Sequence, residues 1–316
     1  MLKTFRWISV VPSGLVLTAS LAFAAPGDWV NSVRPIQSPK TPNAIALRVV
    51  TPTGSAAGAS AAEAWAAWPG HRMVYNISKP KLVPIATAAR AGGKPAATII
   101  VVPGGGFEYL EIDNEGYDVA RRLARLGLRV FLLEYRTLPM PDGFASLHAA
   151  LVQTFIKGVG TDKLVRDMPF AVADTQAAIR MVRSHAKAWK IDPARIGILG
   201  FSAGAMTVLA TAQANAADAR PDFVGMLYGP TRKTFVPPHA PPLFAALAAD
   251  DRFFGKDDFG LIEQWRNSGA SVEFHLFSAG GHGFASQPNG TTSDGWFGEY
   301  VRWLRAQKIV GGHRGP

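Results

Sequence analysis

The apolar positions of this chain fall into three kinds of pattern. In the first, a short stretch reads as a strand: the continuous β-branched run Ala97–Val102, then Arg129–Tyr135, Arg195–Gly200, Phe223–Tyr228, Leu243–Ala248 and Val272–Phe277. A run apolar on both faces, as Ala97–Val102 is, belongs to a strand buried between two layers of helix. In the second pattern, apolar residues recur at helical spacing. Glu115–Leu126 carries Val119, Leu123 and Leu126 on one stripe, and Phe170–Trp189 carries Val172, Ile179, Val182, Ala186 and Trp189. Ala203–Ala217, Phe259–Asn267 and Ser293–Gln307 also read as helices. Strands alternating with helices predict an α/β fold, a mostly parallel sheet with helices on both faces.

The third pattern is weak or short. Met73–Ile77 and Leu82–Ile85 alternate as the two arms of a hairpin would. Residues 25–67 are rich in Ala, Pro, Ser and Gly and predict an extended leader on the surface. Pro139–Met168 lacks a clear period and predicts a loop or cap over the sheet. The expected organisation is thus a catalytic domain over 68–310, interrupted by an insert near 139–168, with no internal repeat.

Residues 1–24 have a different character. Lys3 and Arg6 precede an apolar stretch from Val10 to Leu21, which is followed by Ala22-Phe23-Ala24. A charged start, an apolar run and an A-x-A end are the marks of a signal peptide, so cleavage after Ala24 and a periplasmic or secreted chain are expected. Pro12, Ser13 and Gly14 interrupt the run, which is short for a membrane span. No stable membrane insertion is expected after cleavage.

Composition removes several alternatives. The 316 residues include no cysteine, which excludes a disulfide scaffold, a thiol nucleophile and a Cys-built metal site. The formal charge of +10 raises the question of nucleic acid, yet the basic residues are scattered. Arg121, Arg122, Arg125 and Arg129 form the densest group, and no nucleic-acid-binding motif accompanies them. A generally basic surface without a nucleic-acid partner is the expectation.

Gly200-Phe201-Ser202-Ala203-Gly204 fits G-x-S-x-G between a β-branched strand and a helix. A serine lifted above the strand ends needs a tight, strained turn, and side chains at the flanking positions would collide with neighbouring elements. Pro103-Gly104-Gly105-Gly106-Phe107 ends the strand expected beside it. Its glycines let backbone N–H groups of Gly105 and Gly106 converge with that of Ala203 into an oxyanion hole. The serine needs a base. Of seven histidines, His282 follows the last strand in Gly280-Gly281-His282-Gly283-Phe284. His71, His148 and His239 fall in irregular stretches, His185 on a helix, His275 inside a strand and His313 in the tail. The acid that orients the imidazole should follow a strand between serine and histidine, where Asp250 and Asp251 both qualify. Phe107, Tyr109 and Phe201 are candidate walls of a small acyl pocket.

These residues resemble an α/β-hydrolase of the acetyl-esterase (BD-FAE-like) group, related to the hormone-sensitive-lipase esterases and including acetylxylan esterases. The resemblance runs from about Met73 to Leu304. It is carried by the glycine loop, Asp113-Asn114-Glu115-Gly116, Glu134-Tyr135-Arg136, Asp192–Gly197, the serine turn, Ala249-Asp250-Asp251 and the histidine loop. It implies an α/β-hydrolase fold with Ser202, Asp251 and His282 as triad, Asp250 in support, and a structural Arg136 paired with Asp174. Two departures stand out: Ala205 where many members have glycine, and a longer tract from Thr137 to Pro141. The expected function is a serine ester hydrolase releasing short acyl groups, chiefly acetyl from carbohydrate such as acetylated xylan. No metal or organic cofactor is required, and the partner is a small ester or acetylated oligosaccharide. A short-chain carboxylesterase without sugar preference and a catalytically silent envelope binding protein are the rival readings. The natural ester and the oligomeric state stay open.

Overall fold

A computed structural model describes residues 28–41, 43–49, 61–87, 95–157 and 168–311. The expected signal peptide and its cleavage point lie outside the described residues. The chain lays down β1 (Arg34–Ile36), β2 (Ile45–Ala46), β3 (Ala64–Trp68), β4 (His71–Tyr75) and β5 (Lys81–Ile85). There follow β6 (Ala96–Val102), β7 (Tyr109–Glu111), α1 (Asp118–Arg125), β8 (Arg129–Glu134), α2 (Phe144–Leu151), α3 (Met168–Ser184) and the single turn α4 (Ala186–Trp189). Then come β9 (Ile191–Phe201), α5 (Ala203–Ala214), β10 (Phe223–Leu227), β11 (Leu243–Ala248), α6 (Gly260–Asn267), β12 (Val272–Phe277) and α7 (Trp296–Ala306).

The six expected strands lie together in one eight-stranded sheet, ordered β12-β11-β10-β9-β6-β8-β5-β2. From β12 to β8 all pairings are parallel; β5 and β2 add antiparallel neighbours at one side. Every residue of β6, β10 and β11 is buried, as strands covered on both faces must be. The chain goes from β6 to β8 on one side, then returns to place β9 on the other side of β6. That reversal opens a crevice beyond the carboxyl ends of β6 and β9, the place where open α/β sheets bind ligands.

The short strands behave differently from the expected hairpin. Met73 and Leu82 belong to separate sheets: β4 pairs antiparallel with β3 and β7, whereas β5 pairs with β8 and β2. The cause is local. Asn76 follows β4 in the left-handed region (φ 57°), and its carboxamide holds both the N–H and the C=O of Met140, at 2.6 and 3.1 Å. The chain therefore turns away from β4 before β5 begins.

The described parts of the expected surface leader are likewise built in. Its β1 and β3 form, with β4 and β7, a four-stranded antiparallel sheet. Val30, Val33, Ala66, Met73, Tyr75 and Tyr109 make a second core under it. The other half of that core comes from the insert, where α2 buries Leu147 and Leu151 and the following π-helical turn Val152–Ile156 packs the half-buried Val152 and Phe155 against them. The helix expected over Phe170–Trp189 breaks at His185 into α3 and α4. Arg136 forms the pairing expected of it: its guanidinium reaches Asp174 at 2.6 Å, and its backbone N–H donates to the same buried carboxylate at 2.9 Å. That bond fastens α3 to the end of β8.

Candidate active site

Ser202 sits between β9 and α5 with φ 51° and ψ −117°, a conformation L-residues adopt only under constraint. The constraint is visible in its neighbours. A Cβ on Gly200 would stand 2.2 Å from the carbonyl oxygen of Gly204, and one on Gly204 would stand 2.0 Å from that of Val102. Both obstacles are backbone, so only glycine fits. The Ser202 N–H donates to Leu227 O on β10 at 3.1 Å, which ties the turn to the sheet.

His282 Nε2 lies 2.8 Å from Ser202 Oγ, and its Nδ1 lies 2.7 Å from Asp251 Oδ2. With a neutral imidazole, Nδ1–H donates to the carboxylate and Ser202 O–H donates to Nε2. Asp251 is buried, and its other oxygen accepts the N–H groups of Phe253 and Phe254, at 2.7 and 3.1 Å. Asp250 acts elsewhere, since its Oδ1 accepts the N–H of Gly281 at 2.8 Å and so braces the histidine loop. The imidazole is enclosed by rings, with Phe253 at 4.7 Å and Tyr228 at 5.0 Å between centroids.

The glycine loop after β6 turns through three successive positive φ values, at Gly105, Gly106 and Phe107. Gly105 O accepts the N–H groups of Glu108 and Tyr109, and a Cβ on Gly105 would lie 2.1 Å from Tyr109 O. Gly105 and Gly106 line the cavity that also holds Ser202 and His282. Ala203 is buried at the first position of α5, where helix N–H groups lack intrahelical acceptors.

Two residues here carried no assigned role in the sequence. Glu115, fully buried, accepts the Gly104 N–H at 2.6 Å and the Tyr228 hydroxyl at 2.9 Å. Burial, joined by the charge of Glu111, raises its carboxyl from 4.5 to about 7, although the Gly104 N–H, His282 and Tyr228 pull the other way. Asn114 pins the far side of the histidine loop. Its Oδ1 accepts the Ser286 and Gln287 N–H groups, at 2.8 and 3.1 Å, and its Nδ2 donates to Gly283 O at 3.2 Å. Both belong to the Asp113–Gly116 motif, but their partners lie up to 173 residues away, beyond any local pattern.

The cavity measures about 620 Å³. Of the three expected wall residues, Tyr109 lines it, whereas Phe107 and Phe201 do not. Phe107 is fully buried beside Tyr135, and Phe201 packs against Tyr228 and Trp296 in the core. A strand buried on both faces sends its last side chain into the core whichever way it points. The rings that do line the cavity include Phe253, Phe254 and Phe284, with Trp29, Trp68, His71 and Phe155 farther out. His71 is not in an irregular stretch: it opens β4, stacks on Trp68 and bonds Glu111 Oε1 at 3.2 Å. Among the described residues, no group of three or more His, Asp or Glu side chains is arranged to hold a metal ion. None of the described helices is long and apolar enough to cross a membrane.

A serine raised on a strained strand-to-helix turn, facing a glycine loop across the switch point of a parallel sheet, defines an α/β hydrolase. Comparison with known proteins narrows the class. Residues 86–300 match the dienelactone hydrolase family, and the chain belongs to that family. It is 30% identical over 130 residues to an acetylxylan esterase of Xylanibacter ruminicola. That match covers 41% of this chain and 22% of the relative, so the chain spans about a fifth of the relative's length. Solved structures share the fold. An acetyl ester-xyloside bifunctional hydrolase from Caldicellulosiruptor lactoaceticus superposes with a TM-score of 0.56 at 22% identity, over 73% of this chain and 89% of that one. A carboxylesterase from Lactobacillus plantarum gives 0.57 at 18% identity, over 76% and 95%.

Proposed function

We propose that the protein is a serine esterase that releases acetyl groups from acetylated carbohydrate, with Ser202, His282 and Asp251 as its triad. The observation that carries this reading is the continuous pair of hydrogen bonds from Ser202 Oγ through the imidazole to Asp251, opening on a cavity. Ser202 attacks the ester carbonyl as Nε2 takes its proton, and the imidazolium is balanced by the Asp251 carboxylate. The tetrahedral oxyanion lies against the N–H groups of Gly105, Gly106 and Ala203, each good donor being worth about 2.7–4 kcal/mol of barrier. His282 then returns the proton to the leaving alcohol. Water, deprotonated by the same nitrogen, attacks the acyl-enzyme; acetate departs as Ser202 Oγ regains its proton.

The choice of acetylated carbohydrate draws on the acetylxylan esterase and the acetyl ester-xyloside hydrolase among the proteins it resembles. It is consistent with an exported chain, which the Lys3-to-Ala24 segment would direct. The test is acetate release from acetylated xylan by wild type and Ser202→Ala. Loss of about 10⁶ in kcat is expected. A variant within about tenfold of wild type removes Ser202 from the mechanism.

A further inference from the structure

An acetyl group and its oxyanion occupy a small part of a 620 Å³ cavity. The remainder is bounded on one side by an uninterrupted run of rings that begins at the reacting imidazole. Phe253 packs edge-on to His282 at 4.7 Å, Phe155 to Phe253 at 6.5 Å, and Trp29 to Phe155 at 4.9 Å. Trp68 lies 4.8 Å beyond Trp29, and His71 stacks on it at 4.6 Å with planes 4° apart. All six line the cavity. The outer four come from elements unlike the rest of the site. Trp68 and His71 belong to the four-stranded accessory sheet and Trp29 to the 3-10 turn Asp28–Ser32 that leads into it, all ahead of the family match that starts at residue 86, and Phe155 belongs to the insert.

We infer that this outer wall, with Trp29 and Trp68 as its centre, is a subsite for the sugar rings on the alcohol side of the ester. The inference rests on the reading of Ser202 and His282 as the reacting pair. A pyranose offers one face of C–H groups and a rim of hydroxyls. It therefore matches a cavity with aromatic carbons on one side and hydrogen-bonding groups elsewhere. Glu108, Gln153 and Gln287 line the same cavity and supply those groups. The wall is also held in place by hydrogen bonds. Glu111 bonds the His71 ring, and Arg252 donates to the carbonyls of Thr154 and Phe155 at 2.9 and 3.0 Å.

Binding is measured first without turnover. Full-length Ser202→Ala is titrated calorimetrically with unacetylated xylo-oligosaccharides, alone and combined with Trp68→Ala, Trp29→Ala or Trp68→Phe. Saturable binding is expected, weakened at least about tenfold by either alanine and largely restored by phenylalanine. Absence of binding at about 10 mM sugar, or unchanged affinity without the indoles, overturns the inference. Should Trp68→Ala not fold by circular dichroism, Trp29→Ala and Trp68→Phe give the same decision. The second arm compares kcat/KM on an acetylated xylo-oligosaccharide with that on ethyl acetate, whose alcohol cannot reach the wall. The ratio falls at least about tenfold in Trp68→Ala through KM. A fall on both esters together, or a selective loss on a decanoyl or feruloyl ester instead, assigns the wall another role and overturns the inference. If oligosaccharide binds through the indoles while Ser202→Ala still hydrolyses esters, the subsite stands and the proposed nucleophile fails.

Discussion

The crevice at the ends of β6 and β9 and the accessory layer above it are built on opposite principles. In the crevice the shape is set by backbone against backbone. Gly200 and Gly204 leave no room for a methyl group, and Ser202 is held at positive φ by that contact. In the accessory layer the shape is set by side chains, Trp29 on Trp68 and a core shared by Leu147, Leu151, Val30 and Val33, with the Asn76 carboxamide holding Met140 just ahead of the insert helix. The family match covers the first region and starts after β1–β5. On the proposed reading, chemistry needs atoms fixed to a fraction of an ångström, which a glycine turn supplies, whereas recognition of the rest of a substrate tolerates change, which packed rings permit.

Disturbing the crevice should therefore have the larger consequences. Asp251→Asn is expected to lower kcat by about 10⁴ while leaving the fold intact. The reason is specific to this site. Oδ1 accepts the Phe253 and Phe254 N–H groups, so an asparagine must keep its oxygen there and turn its NH₂ toward Nδ1. The imidazole is then forced to carry its proton on Nε2, facing Ser202, where it cannot act as base. Steady-state kinetics on any small ester checks this, and activity within about tenfold of wild type contradicts the assigned acid. Next in size, Gly204→Ala is expected to destabilise by about 3 kcal/mol, because the obstacle is the Val102 carbonyl and cannot move aside. Urea unfolding measures it.

The two regions also differed in how far the sequence revealed them. G-x-S-x-G, the triple glycine and the glycine-flanked His282 announce themselves because backbone geometry restricts which residues can stand there. The strands β6, β10 and β11 were equally legible, since burial on both faces leaves an apolar run. What was hidden is whatever arises from distant side chains meeting. Glu115 acquires its role from Gly104 and Tyr228, 11 and 113 positions away. Trp29, Trp68 and Phe155 fall in no shared period, so the stretch expected as a loose leader gave no sign of its buried face. Phe107 and Phe201 mislead for the converse reason: a residue flanking a functional motif need not share its face, and both fill the core.

Glu115 lies where the two regions touch, and its substitution should have an intermediate effect. Glu115→Gln cannot accept from both Gly104 N–H and Tyr228 O–H with its amide nitrogen, so the glycine loop loosens and kcat falls about tenfold, the value of one good hydrogen bond. The variant has a second signature. The folded carboxyl sits near 7 against 4.5 ordinarily, so the fold favours its protonated form. Its contribution to stability is whole below about pH 4.5 and is lost as pH rises through about 7. Denaturation curves between about pH 5 and pH 9 should show wild type losing stability relative to the variant as pH increases. A constant difference across that range would exclude the buried proton.

The smallest effect tests how the outer region is attached. Arg252 follows Asp251, the acid of the proposed triad, yet its guanidinium is exposed and donates to the carbonyls of Thr154 and Phe155. These lie in the last turn of the insert helix, where carbonyls lack intrahelical donors and the helix dipole favours a positive charge. The same group lies over the rings of Phe155 and Phe253, 5.9 and 5.0 Å from their centroids. Arg252 therefore fixes the insert to the loop that carries Asp251. Exposed bonds to neutral carbonyls contribute at the low end of the usual range, so Arg252→Ala should raise KM for an acetylated oligosaccharide about threefold and change kcat little. Arg252→Lys keeps the charge but not the planar fork that spans two carbonyls, and should recover only part of the loss. If lysine restores KM fully, charge at the helix end suffices and the two-pronged bond is incidental. If alanine instead lowers kcat as far as Glu115→Gln does, the outer layer is not separable from the crevice, and the contrast between a rigid reacting centre and an adaptable rim fails.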